Sequence, residues 1–235
     1  MTQRRPVARI NRPVPAGPIA ADPITAHEAP RRTARRRIGL LGGSFNPAHQ
    51  GHRAISLQAM KQLRLDQVWW LVSPQNPLKE ARGMAPLEKR LASARSIAAG
   101  HPRLVVTDLE QRLGMRYSID TLRWLTRRCR ARFVWLIGAD ILLQLPAWRD
   151  WRRLVGLVPI AVVDREPYSY RALAGQVARR YAASRRPERD APGLADGEPP
   201  AWVYLRLRRQ KASSTAIRRA RKVAPRRREA KEEAS

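Results

Sequence analysis

The chain has 235 residues, a formal net charge of +28 at pH 7 and a single cysteine. That length supports one substantial core, and a lone Cys129 excludes an internal disulfide and any multi-cysteine zinc site. No apolar run approaches the ~18 residues of a membrane span, and the arginine-studded N-terminus has no secretory apolar region, so a cytoplasmic protein is expected.

The charge is unevenly placed. Residues 1–37 hold nine Lys/Arg against two Asp/Glu, and residues 206–235 hold twelve against three. Both segments are poor in apolar residues. The expected organisation is a disordered basic extension over 1–36, a folded domain over 37–221 and a charged tail over 222–235. Such tails favour nonspecific association with nucleic acid and other polyanions, and the overall charge concentrates phosphorylated substrates. It does not by itself argue sequence-specific recognition.

In chain order, Ile38–Leu41 reads as an apolar strand and Gly51–Gln62 as the helix that follows it. A second strand fits Gln67–Ser73, where Trp69 and Trp70 alternate faces as packing residues. A helix fits Pro86–Ala99, with proline at its start. Leu104–Thr107 is a short strand; Asp108 after it reads as a turn residue and His101 before it as surface. Tyr117–Cys129 reads as a helix capped by Ser118, with Cys129 as inert packing. Phe133–Ile137 is a fully apolar strand, as when helices cover both faces of a sheet. Further strands are expected at Gly156–Val163 and Ala201–Leu207, with a helix at Tyr170–Ala183, a loop at Ser184–Pro200 and a last short helix at Ser213–Arg221. This alternation predicts an α/β fold with a doubly wound, mostly parallel sheet and a ligand crevice beyond the carboxyl ends of its strands.

Three segments just past strand ends converge on that rim: Gly42–His52, Ser73-Pro74 and Gly138-Ala139-Asp140. The first reads Gly42-Gly43-Ser44-Phe45-Asn46-Pro47-Ala48-His49-Gln50-Gly51-His52. Glycines let a backbone approach a ligand, a helix start offers unpaired N–H groups to anions, and two histidines three residues apart share a face. As a phosphate clamp the imidazoles donate N–H groups, with protonation adding charge. The run matches neither Walker A, which needs a lysine after its last glycine, nor the dinucleotide Gly-x-Gly-x-x-Gly. Near the C-terminus, Ser213-Ser214-Thr215-Ala216-Ile217-Arg218 places hydroxyls at a helix start with an arginine one turn inside. Alone that is a capped surface helix; with the histidine turn it forms a second wall of a triphosphate site.

These two signatures resemble those of the nucleotidylyltransferase superfamily, and within it the chain is similar to the bacterial nicotinate-nucleotide adenylyltransferases. Ser73–Lys79, Tyr117–Leu122, Ile137–Asp140 and Leu145–Trp148 extend the resemblance, which runs from about Arg37 to Arg218. It implies a Rossmann-like nucleotidylyltransferase fold and AMP transfer from ATP to nicotinate mononucleotide, giving deamido-NAD and pyrophosphate in NAD biosynthesis without a covalent enzyme intermediate. His49, His52 and Arg218 would be catalytic. Gly42, Gly43, Ser44, Phe45, Asp140, Ser214 and Thr215 would join them in binding ATP, Asp140 on the ribose hydroxyls. Gly43, Ser44, Asn46, Lys79, Ser118 and Trp148 would hold nicotinate mononucleotide, with Ser118 and nearby amides on the ring carboxylate and Trp148 stacking. The alternative for Trp148 and Trp151, three apart near a short helix, is simple core packing. Mg²⁺ would arrive with ATP, with no metal cage supplied by the protein alone. The segment Arg219–Ser235 departs from the family pattern in having almost nothing apolar to bury, and the oligomeric state is left open. The alternatives are a sibling transferase using nicotinamide mononucleotide or pantetheine phosphate, and a nucleic-acid-associated protein keeping a degenerate nucleotide fold.

Overall fold

The structure is a computed structural model and describes residues 35–74, 83–165 and 167–206. Seven strands form one sheet in the order β3-β2-β1-β4-β5-β7-β6, and every pairing is parallel. They are β1 Arg36–Gly43, β2 Gln67–Val72, β3 Leu104–Thr107, β4 Ala131–Gly138, β5 Ile160–Val163, β6 Arg185–Arg186 and β7 Trp202–Leu205. The order reverses between β1 and β4, which opens a crevice at their carboxyl ends.

Strand periodicity divides the core. Ile38, Leu40, Trp69, Leu71, Phe133, Trp135, Ile137, Ile160 and Val162 face one layer, which holds α4 (Ser118–Arg128), α5 (Ala139–Gln144), α6 (Trp151–Val155), α7 (Ser169–Leu173) and α8 (Gln176–Arg180). Val68, Trp70, Val72, Val134, Leu136, Ala161 and Val163 face the other, with α1 (Gln50–Gln62) and α2 (Leu87–Ala98). Trp69 and Trp70 are both fully buried, one in each layer. Cys129 is buried at the end of α4, and Asp108 precedes the single turn α3 (Leu109–Arg112). Among the described residues no helix is long and apolar enough to cross a membrane.

Several boundaries differ from expectation for identifiable reasons. Helix α1 starts at Gln50 because His49 itself is the N-cap. Ser118 does not cap α4: extended Tyr117 is the N-cap and Ser118 the first helical residue. The strand expected from Gly156 begins at Ile160, because Trp151, Leu154 and Val155 bury one side of α6 before Gly156 ends it. The helix expected over Tyr170–Ala183 is broken into α7 and α8 at Gly175, where a β-carbon would meet the Ala172 carbonyl at 3.1 Å and Leu143 at 3.2 Å. The expected loop after it holds β6 and a 3₁₀ helix, Glu188–Asp196, which buries Ala191, Leu194 and Ala195. His101 is half-buried rather than a surface residue, and its Nδ1 is sealed without a hydrogen-bond partner.

Candidate active site

The carboxyl end of β1 runs through Gly42 and Gly43 into a turn with a cis Asn46–Pro47 bond. A β-carbon at Gly42 would meet nothing within 4 Å, so internal packing does not demand this glycine and the backbone stays open to approach. Phe45 takes a left-handed φ of 45°, and its ring is buried, stacked on Trp70 at 5.1 Å between centroids. Only its backbone can therefore reach a ligand. The same ring packs against His52, tilted, with 4.8 Å between centroids.

The two histidines form a reciprocal capping box. His49 Nδ1 accepts from the Gly51 amide at 3.1 Å, and His52 Nδ1 accepts from the His49 amide at 3.2 Å. Backbone N–H groups only donate, so both Nδ1 atoms are unprotonated acceptors. In neutral imidazoles that leaves Nε2–H as the donor on each ring. The rings lie 3.9 Å apart between centroids. Burial, then His49, then Arg165 push the His52 pKa down to about 3, against a smaller upward effect of its backbone bond to His49; burial and then Arg165 also lower His49. The unliganded pair is thus a set of neutral donors at neutral pH, without the added charge that protonation would bring. Ser56 fixes the helix behind them: its hydroxyl donates to the His52 carbonyl and accepts from Trp70 Nε1, each at 2.8 Å.

Across the reversal, Gly138 ends β4 and leaves room for the Asp140 carboxylate to fold back over it. Arg165 Nη1 donates to both Asp140 oxygens, at 3.3 and 3.1 Å. Asp140 is the shielded partner at 17% exposure and Arg165 the open one at 54%, so the arginine can move while the carboxylate stays. Arg165, two residues beyond β5, is absent from the site expected from sequence. Nothing in its surroundings carries a motif, although its place past a strand end was a usable signal.

The second group sits at the start of α4 and just after the 3₁₀ turn Leu145–Ala147 that follows α5. Arg149 lies over the Tyr117 ring at 4.7 Å, which brings Tyr117-Ser118 beside Trp148-Arg149. Trp148 is half-buried against Trp135, 5.8 Å between ring centroids, and its Nε1 is sealed without a partner. Trp151 is core. Asn46 has both ends of its amide engaged, Nδ2 donating to the Gly83 carbonyl at 3.1 Å and Oδ1 accepting from the Ala85 amide at 3.3 Å. That makes it a tie between two loops. Lys79, Ser213, Ser214, Thr215 and Arg218 lie outside the described residues. Among the described residues no cluster of three or more His, Cys, Asp or Glu side chains could hold a metal ion.

The parallel sheet, its reversal and the glycine-histidine turn define a nucleotidylyltransferase class of fold, and the sequence profile described as "Cytidylyltransferase-like" matches residues 40–220. A Bradyrhizobium protein named "Probable nicotinate-nucleotide adenylyltransferase" is 54% identical over 183 residues, covering 77% of this chain and 95% of the relative. One of the same name from Methylorubrum extorquens is 50% identical over 183 residues, covering 77% and 98%. The Plasmodium falciparum nicotinic acid mononucleotide adenylyltransferase complexed with NaAD shares the fold, with a TM-score of 0.60 at 15% identity over 79% of this chain and 83% of that one. The chain belongs to the nicotinate-nucleotide adenylyltransferase family.

Proposed function

We propose that the protein transfers the adenylyl group of ATP, taken as its magnesium complex, to nicotinate mononucleotide in a cytoplasmic step of NAD biosynthesis. The observation that carries this reading is the neutral His49–His52 pair, held as Nε2–H donors at the start of a helix beside open Gly42 and Gly43, in a chain 54% identical to a relative bearing that name.

A phosphate oxygen of the mononucleotide attacks the α-phosphorus of ATP. The bond to the bridging oxygen breaks, and pyrophosphate leaves with the electron pair as deamido-NAD forms. No enzyme nucleophile is needed, so catalysis is alignment plus donors placed where charge grows. His52 is fixed by Phe45, Trp70 and Ser56 and donates to the developing charge; His49 donates to the neighbouring phosphate. Neutral donors avoid burying a cation before the substrate arrives. Arg165 supplies a permanent positive charge beside them; Ser214, Thr215 and Arg218 of the expected second wall hold the triphosphate, and Lys79 holds the mononucleotide. Asp140 takes the ribose hydroxyls as Arg165 turns toward phosphate. Ser118 and the first-turn amides of α4 address the nicotinate carboxylate, and Trp148 gives its face to the acceptor ring.

The test is magnesium-dependent pyrophosphate release with nicotinate mononucleotide and nicotinamide mononucleotide in parallel. A strong preference for the acid supports the full reading. Equal use of both removes the acid specificity and keeps adenylyl transfer. Release only with pantetheine phosphate assigns a sibling transferase.

A further inference from the structure

Arg90 of α2 is a charged side chain only 2% exposed, and it directs its guanidinium at the main chain of the rim. Nη1 donates to the Ser44 carbonyl at 2.8 Å and to the Ser73 carbonyl at 2.6 Å. Nη2 donates to the Pro74 carbonyl at 2.7 Å, and Nε to the Ala85 carbonyl at 2.9 Å. One planar group thus grips the glycine turn after β1, the end of β2 and the segment leading into α2. A rigid fork with five donors suits that task, and lysine has no equivalent geometry.

The contacts continue to the acceptor side. The Ser73 hydroxyl bonds the Glu110 carboxylate, and Glu110 Oε1 accepts from the Thr121 hydroxyl at 3.0 Å. Thr121 is 1% exposed and lies one turn beyond Ser118 in α4. A chain of hydrogen bonds therefore runs from Ser44, beside the histidines, to the helix that begins at Ser118. Burial raises the Glu110 carboxyl above the usual carboxylate range, and its bonds to Ser73 and Thr121 offset only part of that.

We propose that Arg90 and Glu110 are positioning residues that hold the glycine turn, which addresses the ATP phosphates, in fixed register with the first turn of α4, which addresses the acceptor. The proposal rests on the adenylyl-transfer reading and adds the element that sets the distance between the two substrates. Reaction rate is sensitive to such alignment far more than ground-state binding is.

The experiment is steady-state pyrophosphate release by the full chain and by R90K, R90Q, T121V and R90K/T121V. Each variant is assayed well below its own thermal midpoint. The expected result for R90K is a kcat lower by roughly tenfold or more, with KM for ATP and for the mononucleotide within about threefold. T121V should lose about threefold in kcat, and the double variant should lose less than the product of the two, because both act through one chain of contacts. A merely structural role would lower the thermal midpoint and leave the kcat of folded protein unchanged. A kcat within twofold of the parent in R90K and T121V overturns the proposal, as do losses that simply multiply. Should neither Arg90 variant fold, T121V and E110Q decide, and unchanged kcat in both overturns it. A wild-type chain that releases no pyrophosphate fails the underlying reading instead, whereas an active wild type with indifferent variants fails only this proposal.

Discussion

His52 is enclosed by Phe45, Trp70 and its own helix, so its charge state is set by packing before any ligand arrives. A folded pKa of about 3 lies below the unfolded value near 6.5, and the unfolded chain therefore takes up the proton first. The resulting contribution to stability is complete above pH 6.5 and is lost as pH falls toward 3. We expect the wild-type thermal midpoint to drop more between those limits than that of H52Q; parallel curves would contradict the assignment. The same variant should lose about 10²–10³ in kcat, the scale of a removed transition-state donor, while binding ATP with modest change. At this scale the sequence was informative wherever chemistry lay in one continuous run. His49 and His52 were legible because three residues of helix separate them. Their neutral state was not, since it depends on Trp70, which arrives from β2.

At the level of elements, β1 is constrained on both sides. A β-carbon at Gly39 would meet Leu65 at 2.8 Å, Leu136 at 3.0 Å and Val68 at 3.2 Å, so this glycine serves packing where Gly42 serves the site. G39A should cost about 1–3 kcal/mol, read as a lower denaturation midpoint at unchanged slope. The kcat of the folded fraction should hold, because the clash lies below the rim. The strands were readable because apolar residues on both faces mark a covered parallel sheet. The helices between β5 and β7 were harder: Gly175 breaks a run whose composition reads as continuous, and the 3₁₀ segment Glu188–Asp196 carries its buried positions inside a polar, proline-containing stretch. Ser118 was assigned the cap by residue type, whereas extended Tyr117 occupies that position.

For the molecule as a whole, the net charge of +28 acts on every approach of an anionic substrate. Screening shortens the reach of that field to about 10 Å at 0.1 M salt. Raising ionic strength from about 0.05 to 0.5 M should therefore raise KM for both nucleotides more than it changes kcat. A salt-independent KM would show that contact residues alone govern capture. The motifs of the candidate site were visible in the chain, but the side chains that join their described segments were not. Arg90, Glu110 and Arg165 belong to no motif, and the order of the strands is what brings them to Ser44, Thr121 and Asp140.

That strand order also governs how the protein comes into being. Ile38 of β1 pairs with Gln67 on one side and with Phe133 on the other, so the centre of the sheet waits for a partner made much later. Parallel pairing across such separations has a loop-closure cost before any contact offsets it, and it slows folding. On the ribosome, the glycine-histidine turn leaves the tunnel early but stands against a half-built wall until Ala131–Gly138 has followed. Through that interval the nascent chain shows one bare edge of β1, the edge that in the finished protein frames the crevice.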